Sequence, residues 1–229
     1  MFIEKRSFKN SRSLTLAAIY EGEDKKAPTV VICHGYASSK DSVSQRDISK
    51  RLIKSGFSVY RFDFTGCGQS QGSIENLVPS VGLDDLNSAI ADFGKKEFIL
   101  CGTSFGGYVA ILYASQHILL ALALKCPVSD YPAVLEANQE EDKESRRKIL
   151  AESQKIDIYQ LASKIKVPTI IVHGDTDEIV SLSQSNKLIK TLGSKVKKLK
   201  IIEGGVHRLR GRPMQKAHEV IIDFFKKIC

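Results

Sequence analysis

Phe98-Ile99-Leu100-Cys101-Gly102-Thr103-Ser104-Phe105-Gly106-Gly107 is the stretch that decides the fold. Its first four residues read as a short buried strand, and the apolar segment Tyr108 to Ala114 reads as a helix. Between them lies a GxSxG turn. A serine at such a strand-turn-helix corner takes a strained backbone conformation. The positions two before and two after it must therefore be small, and Gly102 and Gly106 satisfy that. The helix start then presents free N–H groups and a positive dipole end to the serine oxygen, favouring negative charge there. Ser104 is the candidate nucleophile.

Working outward, short apolar runs alternate with segments of helical period, as expected for βαβ units around a mainly parallel sheet. Phe2 to Phe8 and Leu14 to Tyr20 read as an opening hairpin, turned at Asn10 and Ser11. Thr29 to Cys33, Val59 to Phe62, Phe98 to Cys101, Ile118 to Leu124, Thr169 to Val172 and Lys198 to Ile202 read as further strands. The fold class is therefore α/β, with about eight strands flanked by helices. Leu83, Leu86, Ile90 and Phe93 mark one amphipathic helix, bounded by Pro79 and Gly94, and Met214 to Ile228 mark the last. Residues 128–165 break the rhythm: they hold no strand, centre on the charged run Asn138 to Glu144, and are expected to form a small helical lid within one domain, 1–229.

Composition narrows the class. With 42% apolar and 26% charged residues over 229 positions, the chain is expected to fold around a sizeable core. Met1 to Arg6 alternate apolar and charged residues too early for a signal peptide, and the longest apolar run, Ile118 to Leu124, is too short to cross a bilayer. Five widely spaced cysteines without a CxxC pair fit a reducing, cytoplasmic setting. The net charge of +8 raises the question of nucleic acid, yet only 7% of residues are aromatic and none is Trp. Lysines 195, 197, 198 and 200 surround the last strand, where lysine discourages edge pairing. No nucleic-acid partner and no membrane span are expected, and the oligomeric state, monomer or homodimer, stays open.

A nucleophilic serine needs a base, and its tetrahedral intermediate needs oxyanion donors. His34-Gly35-Tyr36 opens a loop directly after an earlier strand, so the Tyr36 amide together with that of Phe105 is the expected oxyanion hole. Gly66-Cys67-Gly68 has the opening of a dinucleotide fingerprint, but the third glycine would fall at Gln71. That reading is rejected, and Asp63 with its glycines is expected to shape a tight loop at the rim.

Four motifs, His34-Gly35-Tyr36, Gly102 to Gly107, His173-Gly174-Asp175-Thr176-Asp177-Glu178-Ile179-Val180 and Gly204-Gly205-Val206-His207, together resemble those of the α/β-hydrolase superfamily. Asp63 to Gly72 is similar to the loop of the branch holding small bacterial carboxylesterases, feruloyl or cinnamoyl esterases, monoglyceride lipases and serine aminopeptidases. The resemblance implies the chain order serine, acid, histidine. Asp177 matches the acid of its HGxxDxxV pattern, with Asp175 the other carboxylate of that loop, read as a turn stabiliser. His207 is the histidine left in a late loop once His34, His117, His173 and His218 are placed in strand-end, pre-strand and helical segments. Thr103, Cys67 and Ser181 depart from the family pattern without removing a catalytic atom.

The implied chemistry is acyl transfer on a small-molecule ester or amide, without metal or cofactor. A carboxylesterase comes first; a peptidase, aminopeptidase or thioesterase would use the same triad, and a non-catalytic binding module is the reading from another class. Arg208 and Arg210, just after His207, are expected either to be solvated or to recognise an anionic group on the substrate.

Overall fold

A computed structural model describes residues 1–137 and 143–229 of the chain. The hairpin β1 (Phe2–Lys9) and β2 (Thr15–Gly22) comes first. Then follow β3 (Thr29–Cys33), α1 (Val43–Lys54), β4 (Ser58–Phe62), α2 (Pro79–Phe93), β5 (Ile99–Thr103), α3 (Phe105–Ala114) and β6 (Ala121–Lys125). Three helices, α4 (Tyr131–Ala137), α5 (Lys143–Ser153) and α6 (Ile158–Lys164), precede β7 (Thr169–Gly174), α7 (Leu182–Thr191), β8 (Lys197–Ile202) and α8 (Gly211–Ile228). The strands form one eight-stranded sheet in the order β1-β2-β4-β3-β5-β6-β7-β8. β2 runs antiparallel to both neighbours, and β4, β3, β5, β6, β7 and β8 are mutually parallel.

Side chains of each central strand alternate between two cores, because successive Cβ atoms point to opposite faces. Val30, Ile32, Ile99, Cys101, Ala121 and Ala123 meet Ile48 and Leu52 of α1 and Ala217, Ile221 and Phe225 of α8 on one face. Val31, Cys33, Leu100, Leu122 and Leu124 meet α2 and α3 on the other. Burial on both faces is why these strands read as unbroken apolar runs. Helix α3 is buried at all ten residues, so it too lacks an amphipathic pattern.

One strand boundary is corrected. Ile118 does not open β6; it is 90% exposed and the strand runs Ala121–Lys125, because its apolar letters continue back through a loop that only burial distinguishes. Lys197 and Lys198 lie exposed on β8, at the open edge of the sheet. Residues 138–142 of the charged run lie outside the described residues. Among the described residues no helix is long and apolar enough to cross a membrane.

Candidate active site

Ser104 joins β5 to α3 with φ 52° and ψ −116°. A methyl group on Gly106 would strike the carbonyl oxygens of Cys33 and His34, and one on Gly102 would lie 2.8 Å from Gly106 C and Gly107 Cα. Only hydrogen fits at either position. The corner is fixed by the Ser104 N–H, which donates to Lys125 O at 3.0 Å, and by the Ser104 carbonyl, which accepts from Gly107 at 2.9 Å and Tyr108 at 3.1 Å. Four of the five non-glycine residues with positive φ sit in loops at this end of the sheet: Ala37 at 51°, Ser104 at 52°, Cys126 at 45° and Leu209 at 42°. Each lies just after a strand terminus or in the His207 loop, so the backbone strain of the described residues is concentrated around Ser104.

The other two members arrive on loops after β7 and β8. A side chain on Gly174 would collide with the Gly205 main chain, and the Thr176 N–H donates to Gly205 O at 3.1 Å, so the two loops are stitched together. His207 Nε2 lies 3.0 Å from Ser104 Oγ, and His207 Nδ1 lies 2.8 Å from Asp177 Oδ2. Asp175 is exposed and holds the turn through its N–H to Ile202 O at 3.2 Å; Asp177 faces the histidine. The Asp177 carboxylate also accepts from the N–H groups of Ile179 at 3.0 Å and Val180 at 2.8 Å. Burial alone would raise its pKa, but hydrogen bonds from His173 and His207 outweigh that and hold the carboxyl below the usual range. It is therefore ionised wherever the chain is folded near neutral pH.

His173, read from the sequence only as a strand-end residue, carries the acid from beneath. Its Nε2 faces the carbonyl of Val180 at 2.8 Å and Asp177 Oδ2 at 3.1 Å, so that nitrogen bears the proton, and Nδ1 accepts from Ser185 Oγ at 2.6 Å. Cys126, His173 and Asp177 place their donor atoms within 4.8 Å of one another. Both His173 nitrogens are committed to hydrogen bonds, and burial first and then Asp177 push the Cys126 thiol up to about 12, so it stays protonated. The trio is a hydrogen-bonded support for the carboxylate rather than a set of ready metal ligands.

Loop 34–37 crosses Ser104. A Cβ on Gly35 would sit 3.4 Å from Ser104 Cβ, and the Tyr36 ring packs 6.0 Å from that of Phe105. The Phe105 N–H, first of α3, has no carbonyl one turn back to bond. His34 pins the loop: its Nε2 accepts the Phe64 N–H at 3.1 Å, so Nδ1 is the donor to Gly35 O at 2.7 Å. Behind it, buried Asp63 accepts from the Lys40 N–H at 2.6 Å, Lys40 Nζ at 2.9 Å and the Gln69 N–H at 2.9 Å. The loop-shaping role expected of Asp63 thus acts through Lys40, which no sequence pattern singled out. Arg208 and Arg210 are both exposed, on either side of buried Leu209. Among the described residues neither side chain forms a hydrogen bond or ion pair.

Segment 128–165 supplies α5 as one wall of a cavity of about 420 Å³. Lys148 and Glu152 line it together with Arg12, Gly72, Asn76 and Val81, and Lys148 Nζ donates to Asn76 Oδ1 at 3.1 Å. The Tyr36 hydroxyl of loop 34–37 donates to Ile74 O at 3.2 Å, next to lining residue Ser73.

A family model described as alpha/beta hydrolase fold matches residues 28–146, and one described as serine aminopeptidase, S33, matches residues 127–211. The uncharacterized protein YfhR of Escherichia coli O157:H7 is 28% identical over 195 residues, which cover 80% of this chain and 64% of YfhR. The chain therefore spans less than two thirds of that relative. The mitochondrial palmitoyl-protein thioesterase ABHD10 of Mus musculus is 23% identical over 228 residues, 89% of this chain and 76% of its own length. Among solved structures, ferulic acid-bound Est1E of Butyrivibrio proteoclasticus superposes with a TM-score of 0.86 at 21% identity, covering 97% of this chain and 98% of Est1E. That likeness is one of fold.

Proposed function

The chain belongs to the α/β-hydrolase fold family, and from that premise we propose that it hydrolyses carboxylic esters by acyl transfer through Ser104. The observation that carries the reading is the continuous line from Ser104 Oγ to His207 Nε2 at 3.0 Å and from His207 Nδ1 to Asp177 at 2.8 Å. In this mechanism Ser104 gives its proton to His207 as its oxygen attacks the carbonyl carbon. Asp177 keeps Nδ1 protonated and so leaves Nε2 as the base. The Phe105 and Tyr36 amides receive the oxyanion, His207 returns the proton to the leaving alcohol, and water then releases the acid by the same steps in reverse. The residues need no cofactor for this chemistry.

A thioesterase is the second reading, favoured by the likeness to ABHD10, and peptide hydrolysis by the match to the serine aminopeptidase model. In this reading segment 128–165 is a short lid; its α5 walls a neighbouring cavity of about 420 Å³ that Ser104 and His207 do not line. Arg208 and Arg210, solvated beside His207, attract substrates that carry a carboxylate or phosphate.

Labelling by a fluorophosphonate, present in the wild type and absent in Ser104→Ala, is the expected result; an unlabelled wild type would favour a binding module. A panel of p-nitrophenyl esters, acyl thioesters and aminoacyl amides then ranks the substrate classes. Equal rates on neutral and anionic esters in Arg208→Ala/Arg210→Ala and wild type would remove the arginines from recognition.

A further inference from the structure

Just past loop 34–37, every polar atom of Lys40 is engaged. The side chain is buried, and its ammonium donates to Asp63 Oδ2 at 2.9 Å, Asp41 Oδ2 at 2.9 Å and Gln69 Oε1 at 2.8 Å, which uses all of its protons. The Lys40 N–H donates to Asp63 Oδ1 at 2.6 Å, and its carbonyl accepts from Arg61 Nη1 at 2.7 Å. Asp63 is itself buried, and a Cβ on Gly68 would strike its carboxylate, so loop 63–72 folds tightly around the pair. The same loop meets residues 34–40 again at Cys67, whose buried sulfur takes hydrogen bonds from the Ala37 and Ser38 N–H groups.

Between its anchors this stretch is strained. Exposed Ala37 has φ 51°, a left-handed conformation that its Cβ disfavours. At the near end His34 is fixed by the Phe64 N–H and by Gly35 O, and at the far end Lys40 is fixed by Asp63. A chain freed at residue 40 would relax at Ala37 and carry the adjoining Tyr36 amide away from Ser104. An apolar side chain of the same length would fill the space of Lys40, but it would leave buried Asp63 without its counter-charge and Gln69 Oε1 without its donor.

We propose that Lys40 is a positioning residue for the oxyanion hole: its ammonium, clamped by Asp63, Asp41 and Gln69, holds the strained loop so that the Tyr36 amide stays beside Ser104. The inference rests on the acyl-transfer reading and adds to it a residue that touches neither substrate nor Ser104. Lys40 takes no proton and forms no bond in the reaction. Its effect falls on the state in which negative charge has developed on the carbonyl oxygen, since only there does the Tyr36 amide meet an oxyanion. Binding of the uncharged ester draws little on that amide. Loss of the clamp therefore lowers kcat and leaves KM nearly unchanged.

Lys40→Met keeps the length of the side chain and removes its donors. Turnover of p-nitrophenyl acetate, counted per site labelled to completion by a fluorophosphonate, is expected to fall by about 10², the scale of one lost oxyanion donor, with KM within about twofold. The inhibition constant of a trifluoromethyl ketone, whose adduct with Ser104 carries an oxyanion, should rise by a like factor. Lys40→Met/Ala37→Gly should recover about tenfold in kcat, because glycine accepts φ 51° without strain and the loop then needs less holding. A loss of folding alone would not be reversed by that glycine. Near-UV circular dichroism checks folding, and Lys40→Gln, which keeps part of the donor set and should lose about tenfold in kcat, replaces Lys40→Met if that variant is unfolded. Unchanged kcat in a folded variant, a rise in KM alone, or no recovery with Ala37→Gly would overturn the proposal. Amide hydrogen exchange, read in the Ser104→Ala background, separates the clamp from the chemistry: Lys40→Met should speed exchange in residues 34–40, and unchanged exchange there overturns the clamp whatever the activity. A wild type that neither labels nor hydrolyses esters overturns the role given to Ser104, and the exchange rates then decide the hold on the loop.

Discussion

Ser104 and Ser44 each stand at the start of a helix with a basic nitrogen near the hydroxyl, at 3.0 Å from His207 and 2.6 Å from Lys125. Each nitrogen is steadied by a further group, and each line ends on an aspartate, Asp177 or Asp47. The backbone separates them. Ser104 occupies φ 52° at a corner where glycines must flank it, so its oxygen is pushed out of the sheet edge under loop 34–37. Ser44 lies in regular α1, flanked by ordinary side chains, and its hydroxyl accepts from Lys125 Nζ, which reaches it from β6. A serine beside a basic nitrogen is thus placed once by a strained main chain and once by packing alone.

The sharpest way to break this contrast is to remove the strained serine. Ser104→Ala should lower ester turnover by about 10⁶, the scale on which other triad nucleophiles are lost, measured as kcat on a p-nitrophenyl ester. Retention of most activity would mean that the corner does not supply the nucleophile. Asp177→Asn should follow with a loss of about 10⁴ in kcat, because an amide no longer holds the histidine tautomer.

Backbone changes come next. Gly106→Ala drives a methyl group into the Cys33 and His34 carbonyls and should cost about 1–3 kcal/mol in urea unfolding. At the matching position after Ser44, exposed Arg46→Ala should stay within about 0.5 kcal/mol. Equal costs would erase the distinction between the two corners.

The Ser44 region should reveal itself through pH. Burial first, and then Lys125, push the His218 pKa down to about 3 despite Asp47, from an ordinary 6.5. The unfolded chain therefore binds a proton that the native chain excludes. Stability is full above about 6.5 and declines as pH falls from there toward 3. In His218→Gln, urea midpoints measured across that window should fall less steeply with acid. The smallest effect is expected from Glu178→Gln: the His207 N–H donates to exposed Glu178 at 3.1 Å, and an amide oxygen can still accept it, so kcat/KM should change by at most about twofold.

What could be read beforehand divides along the same line. Ser104 was legible because a forbidden backbone leaves glycines in the sequence, and the apolar runs on either side announced strand and helix. Asp177 and His207 needed the resemblance: two aspartates share one turn, and only the folded loops show that Asp175 points to solvent. The eight strands followed from burial on both faces, while the start of β6 did not, since Ile118 is as apolar as the residues the sheet covers. Lys40 acts from behind and carries no pattern, and His173 stood in the acid's motif without any sign that it supports the carboxylate. Ser44, Asp47, Lys125 and His218 were invisible for a deeper reason. They come from α1, β6 and α8, which meet only after the sheet forms, and each is an unremarkable residue in its own element.

The positive-φ residues Ala37, Ser104, Cys126 and Leu209 set a limit on how sturdy this chain can become. Left-handed conformations at non-glycine residues cost on the order of 1–3 kcal/mol each, a sum comparable with the whole margin by which a domain of this kind stays folded. Selection for heat tolerance would therefore find its easiest gains in relaxing these loops. They are the same loops that aim Ser104, the acid support and His207 at one point. Durability and aim draw on one reserve of conformational energy, and a hardened variant should be sought on α1, α8 and the β1–β2 hairpin instead.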